Sequence, residues 1–240
     1  MNRVMSTSSN PPTVSIICPA VERLLTLLAS DRPRILVALA GLPGAGKTTV
    51  AAGWACAVNR LAGAGSMQVL GMDGFHLPRA ALAQMPDPAA ALARRGAPWT
   101  FGPAALRARL LALRGGPCSA NNADGPPQSV PWPDFQHDIG DPVDGVFTVP
   151  PTTRLVLVEG LYLLHRGEEW GLHELFDTCW FLDVPPAQSL RQLAARHRHV
   201  WGLTADEAQA RIDANDGLNA QLVWAERAQA DWLAPPDVPH

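Results

Sequence analysis

The chain has 240 residues, 47% of them hydrophobic, with a net charge of −3 and four cysteines. This length suits one large α/β domain, and the charge, with no long basic stripe, excludes the electrostatic footprint of a nucleic-acid binder. Apolar runs at 35–42 and 155–158 are too short to span a bilayer, and Cys18, Cys56, Cys118 and Cys179 form no C-x-x-C, so they read as free thiols in a reducing, cytoplasmic setting.

Residues 1–15 are polar and aperiodic, which predicts a disordered leader and no secretory signal, leaving 16–240 as a single domain. Apolar residues at helical spacing over 21–28 predict a first helix. The run 34–40 is continuously apolar, as in a strand covered on both faces. It leads into Gly41-Leu42-Pro43-Gly44-Ala45-Gly46-Lys47-Thr48, which fits the phosphate-binding pattern G-x-x-x-x-G-K-[ST], and a helix is expected from 47 to 61. Lys47 is the only lysine; the other eighteen basic residues are arginine. A compact ammonium on a flexible stem reaches between β- and γ-phosphates, where a planar guanidinium fork does not fit.

Further strands are expected at 67–72, 154–158 and 178–184, with an edge strand at 230–234. Between them, Pro88 and Pro103 occupy first helical positions, and Thr204-Ala205-Asp206-Glu207 is a capping box for a helix to about 214. Alternating strands and helices imply a parallel sheet. The stretch 115–151 holds eight prolines; a mobile tip is expected at 116–129 and an ordered stretch at 132–137.

Four elements carry chemistry. The loop residues Gly41, Gly44, Ala45 and Gly46 give amides for an anion nest, with Lys47 on the β/γ-phosphates, Thr48 as a Mg²⁺ ligand and Thr49 near the α-phosphate. Asp73, directly after the second strand, is either an acid facing the ligand crevice or an Asx-turn residue before Gly74. Glu159 closes a strand as a Walker-B-like metal acid, against the plainer reading of a strand-terminal glutamate. Arg191 and Arg198 share a helix face and could close over a transferring phosphoryl group, or they could be a solvated surface. Arg94 and Arg95 suit a substrate phosphate or simply the end of the helix begun at Pro88.

The text Met72-Asp73-Gly74-Phe75-His76-Leu77, Arg95-Gly96-Ala97-Pro98-Trp99-Thr100-Phe101, Pro133-Asp134-Phe135-Gln136-His137 and Val158-Glu159-Gly160-Leu161-Tyr162, following the loop, resembles the uridine kinase / phosphoribulokinase / pantothenate kinase superfamily of P-loop kinases. Within it, the text is similar to a bacterial branch labelled nucleoside/nucleotide kinase or fructokinase of sugar-transport operons. Arg196-His197, Asn215-Asp216 and Asn219-Ala220 belong to the same likeness. The resemblance implies a three-layer αβα P-loop fold with five parallel strands in the order 2-3-1-4-5. It implies an acceptor-binding region at 73–152 and a lid at 187–203 bearing Arg191 and Arg196. It makes Asp73 the catalytic carboxylate and Glu159 a metal residue, with Phe75, His76, Arg95, Phe101, His137 and Tyr162 around the acceptor. Gly102 stands where relatives have Asp, and Gln136 where they have Asp, so the acceptor differs or is held differently.

The activity expected is transfer of the γ-phosphoryl of ATP, with Mg²⁺, to a hydroxyl of a nucleoside, sugar or pantothenate-like metabolite, without nucleic acid or membrane; a homodimer stays open. The alternative is a nucleotide-hydrolysing regulatory or chaperone-like protein acting on a protein partner, which has no evident use for the Asp73–His76 segment and an arginine lid.

Overall fold

Strand β1 (Ile35–Ala40) is buried at every position, as its uninterrupted apolar text requires. It runs parallel to β5 (Leu155–Gly160) on one side and to β6 (Thr178–Leu182) on the other. Beyond them lie β2 (Met67–Gly71) and β7 (Trp232–Ala234), giving the order β2-β5-β1-β6-β7. Counted among the parallel strands alone, this is the expected 2-3-1-4-5. The chain is seen here in a computed structural model that describes residues 18–115, 129–167 and 169–237; the expected leader and all but the last residue of the expected loop tip lie outside them.

The register brings three strand ends to one edge, where open α/β sheets bind their ligands. Leu39 and Gly71 flank Glu159, and Ala40 pairs with Gly160. Helix α1 (Pro19–Leu28) packs on α2 (Lys47–Ala62). The buried residues Val50, Ala51, Trp54, Ala57 and Val58 of α2 form one stripe at helical spacing. Three short helices, α3 (Arg79–Leu82), α4 (Pro88–Ala93) and α5 (Pro103–Leu113), follow the second strand. Among the described residues no helix is long and apolar enough to cross a membrane.

The ordered stretch expected at 132–137 is half of an antiparallel ribbon, β3 (Val130–Gln136) with β4 (Asp141–Val149), which stands apart from the main sheet. No pairing was expected there, because Pro131, Pro133 and Pro142 argue against strands. The ribbon tolerates them as an isolated pair with a register shift between Trp132 and Asp134. Trp132, fully buried, anchors it by donating Nε1–H to the Gly71 carbonyl at 2.9 Å.

The stretch expected as a lid, 187–203, is mostly helix α6 (Pro186–Trp201). Helix α7 (Ala205–Arg211) starts on the expected capping box, with Thr204 and Glu207 bonded reciprocally. It does not end near 214. A π turn at Ile212–Asp216 continues it into α8 (Gly217–Ala225), a helix absent from the expected set.

Candidate active site

The loop between β1 and α2 bends through Gly44 (φ 81°) and Gly46 (φ 86°), both in the left-handed region. Gly46 caps α2, so the loop amides open onto the N-terminus of a 16-residue helix. The two glycines have different reasons. A Cβ on Gly46 would meet nothing within 4 Å, whereas one on Gly44 would lie 2.6 Å from the Ser189 carbonyl oxygen and 2.8 Å from Leu193 Cβ. The loop therefore lies directly on α6, and Ser189 donates its hydroxyl to the Pro43 carbonyl at 2.7 Å. Gly46→Ala is expected to cost about 1 kcal/mol, the left-handed penalty alone. Gly44→Ala must also displace backbone and should cost about 2–4 kcal/mol. Urea unfolding of both variants checks the ordering.

Lys47 Nζ donates to the carbonyls of Gly41 (3.0 Å) and Leu42 (3.1 Å). Burial holds its pKa below the usual lysine range; Glu159 and Asp73 oppose that shift, and Arg196 adds to it. Thr48 donates its hydroxyl to Glu159 Oε1 at 2.8 Å. Glu159 lies above the ordinary carboxylate range, first because it is desolvated and then because Asp73 is near, against the pull of Lys47, Thr48 and Arg196. A hydroxyl beside a carboxylate is a donor set of hard oxygens, the kind that fits Mg²⁺ with phosphates and water completing the shell.

Asp73 opens a short 3₁₀ turn, Asp73–Phe75, immediately after β2. Its side chain is exposed, and its charge acts on Lys47, Glu159, His76 and Tyr162. The turn approaches the ribbon so closely that a Cβ on Gly74 would fall 2.2 Å from the Pro133 carbonyl oxygen. His76 Nδ1 lies 2.7 Å from the Asp73 carbonyl, so that nitrogen carries the proton. Burial lowers the His76 pKa, which keeps the ring neutral at pH 7. The ring packs 3.9 Å from Phe101 and 4.9 Å from Phe135, and His137 packs on Phe135 at 5.3 Å.

The remaining expected acceptor residues stand behind this aromatic wall. Phe75 is buried edge-on against Trp132 at 5.0 Å. Tyr162 is fully buried and donates its hydroxyl to the Gly96 carbonyl at 2.5 Å. Arg95 is committed to Asp141 (2.6 Å) and to the carbonyls of Gly140 (2.6 Å) and Leu77 (3.0 Å). Arg94 donates to Ala214 O at 3.0 Å and to Asn219 Oδ1 at 3.3 Å. Trp99 is half exposed and lines a hollow with Arg94, Phe101, Trp170, Leu218 and Leu222.

Of the two arginines expected on a lid, Arg196 lies near enough for its charge to act on both Lys47 and Glu159. Arg191 is exposed on the same helix, without a hydrogen-bond or ion-pair partner among the described residues. Thr49 is exposed and Ala45 buried within the loop. Sequence reasoning gave no role to Asn215 and Asn219, whose amides hold the Arg95 carbonyl (2.8 Å) and the Gly96 carbonyl (3.1 Å). The signal was there as two asparagines four apart, one helical turn.

No family model matches the chain. It is 35% identical over 226 residues to a Schizosaccharomyces pombe protein whose name assigns it provisionally to the uridine kinases, covering 91% of this chain and 90% of that one. It is 37% identical over 167 residues to the ATP-dependent kinase-like protein notR' of Aspergillus versicolor, covering 68% of this chain and 93% of that one. Among solved structures, a protein of Silicibacter sp. TM1040, provisionally named a fructose transport system kinase, superposes with a TM-score of 0.76 at 32% identity, covering 90% of this chain and 97% of that one.

Proposed function

The chain belongs to the uridine kinase-like family of ATP-dependent P-loop kinases, and from that premise we propose that it phosphorylates a hydroxyl of an uncharged polyhydroxy metabolite, a sugar or a nucleoside. One observation carries the reading: at a single edge of the sheet Thr48 donates to Glu159, and Asp73 and Arg196 lie near enough for their charges to act on both Lys47 and Glu159. The choice of an uncharged acceptor over a pantothenate-like acid rests on Arg95, which lies over the Phe135 ring of the aromatic wall. Arg95 is paired with the Asp141 carboxylate and bonded to the Gly140 and Leu77 carbonyls, so its charge is already met within the protein and it is a poor partner for a carboxylate or phosphate on the acceptor. On the same premise the enzyme works in the cytoplasm.

In this reading Lys47 leaves the carbonyls of Gly41 and Leu42 and neutralises the β- and γ-phosphates, while the loop amides hold the chain of phosphates in place. Asp73 accepts the proton of the substrate hydroxyl, whose oxygen forms a bond to the γ-phosphorus as the bond to the ADP oxygen breaks in line. Arg196 stabilises the charge on the transferring group. Thr48 and Glu159 would hold Mg²⁺, which neutralises the developing phosphate charge. His76, neutral and fixed by the Asp73 carbonyl, and Phe101 orient the acceptor.

The test is a metabolite panel with ATP and Mg²⁺, read as phosphorylated product. Turnover of an uncharged sugar or nucleoside supports the proposal; turnover confined to acidic alcohols or sugar phosphates sinks the acceptor assignment, and no product from any alcohol sinks the kinase chemistry.

A pH dependence follows from Glu159. Its folded-state pKa is raised, so the protonated form persists above the ordinary glutamate range, and a cation must displace that proton. Mg²⁺-dependent nucleotide affinity should therefore weaken on acidification, beginning above the pH where a solvated glutamate titrates. Glu159→Gln should flatten this limb in calorimetric titrations. The sign for the ligand-free protein is opposite: the fold favours the proton, so this group's contribution to stability declines as pH rises from the unfolded to the folded pKa.

A further inference from the structure

The π turn at Ile212–Asp216 lies between the two halves of the site. An i→i+5 turn inserts one residue into a helix and rotates the residues beyond it, and such turns recur where a helix serves a function. Here Gly217 N–H donates to the Ile212 carbonyl, five residues back, and a Cβ on Gly217 would press to 3.1 Å of that oxygen. The rotated residues then reach in two directions. Asp216 Oδ2 lies 2.9 Å from Nε2 of His197, a buried lid residue adjacent to Arg196. Asn215 and Asn219 hold the carbonyls of Arg95 and Gly96, and Arg94 returns two bonds to Ala214 and Asn219.

Both ends of this connection lead to the chemistry. On the lid side, His197 stacks on Trp201 at 4.6 Å and Arg211 covers Trp201 at 4.3 Å, so the end of α6 is clamped to α7. The same helix touches the phosphate loop through Ser189 and Leu193. Ser189 and His197 are eight residues apart, about 12 Å along one rigid helix. On the acceptor side, Gly96 O accepts a second bond from Tyr162, and Gly96 N–H donates to Thr100 Oγ1 at 2.9 Å. Thr100 precedes Phe101, which packs on His76.

We propose that this π turn couples the nucleotide loop to the acceptor wall, with Asp216, Asn215 and Asn219 as its positioning residues. Filling the loop beside Ser189 and drawing Arg196 toward the phosphates shifts α6; His197 passes the shift through Asp216 to the turn, and the two carboxamides set the segment 94–101 and with it Phe101. The proposal rests on the nucleotide reading of the loop.

The experiment is hydrogen exchange of the full chain with and without a non-hydrolysable ATP analogue and Mg²⁺, with analogue affinity measured separately by calorimetry. In the wild type, binding should slow exchange in 94–101 by about threefold or more. Asp216→Ala and Asn219→Asp (which keeps an acceptor for Arg94 but cannot donate to Gly96) should still bind the analogue, weakened by no more than about the same threefold that the coupling supplies, and lose the slowing. Asp216→Asn, which can still accept from His197, should restore it. If the analogue binds the wild type while 94–101 is unaffected, or if Asp216→Ala keeps the slowing, the coupling is overturned with the nucleotide site intact. Absence of binding to the wild type overturns the loop reading itself. Should Asn219→Asp fail to fold, the Asp216 pair decides, since that side chain lies near the surface at 19% exposure.

Discussion

Asp73→Asn should keep its affinity for ATP and lose phosphoryl transfer by about 10²–10⁴-fold, the usual contribution of a positioned general base. The carboxylate is exposed at the strand edge and makes none of the loop contacts that would hold the nucleotide, so removing its charge leaves the cradle intact. The turn geometry should survive as well, because His76 is fixed by the Asp73 backbone carbonyl and the side chain is not needed for it. Loss of the charge should also ease the deprotonation of Glu159, which Asp73 opposes. Single-turnover measurement of product, alongside calorimetric titration with ATP, separates the two quantities. Transfer near the wild-type rate would show that another group takes the proton.

Lys47→Met should abolish measurable ATP binding while leaving the ligand-free protein as stable as the wild type or more so. The two halves have one cause. Lys47 is an ammonium held in a poorly solvated place, which disfavours its charged form in the fold. Its hydrogen bonds to Gly41 and Leu42 offset only part of that, and a triphosphate is the partner that would offset the rest. Because the folded pKa lies below the unfolded one, the unfolded chain binds more protons between the two values, and wild-type stability should rise with pH across that interval. The Lys47→Met variant would lack that rise, having no group to titrate there. Melting curves at neutral and alkaline pH, with and without ATP·Mg²⁺, test both statements; a strongly destabilised ligand-free variant would contradict the second.

The nucleotide half of the site was legible because its chemistry is contiguous: one strand, one glycine loop and one lysine lie within fourteen consecutive residues from Ile35 to Thr48. Asp73 and Glu159 could be placed from the strand ends, since parallel pairing must bring those ends to one edge. The acceptor half was less legible because its contacts join distant residues. Arg95 finds Asp141 forty-six positions away, and Asn219 reaches Gly96 across 123. No local pattern announces such pairs, so Arg95 read as a partner for a substrate phosphate or a helix-end cation, when it bonds Asp141, Gly140 and Leu77. The ribbon was hidden by its prolines and by β4, whose residues are mostly exposed and show no alternation. The π turn has no composition of its own; it arises where packing on both sides outweighs α-helical regularity.

The ribbon's position outside the main sheet has a consequence for divergence. It is attached by side chains, through Trp132 to Gly71, Arg95 to Asp141 and Arg109 to Asp144, and contributes no rung to the ladder that carries Glu159 and leads from β1 into the loop before Lys47. If the ribbon borders the acceptor as proposed, mutations along 134–148 would remodel what the enzyme accepts without shifting the strand register beneath the nucleotide loop. On that reading, donor and recipient would drift at separate rates within one fold.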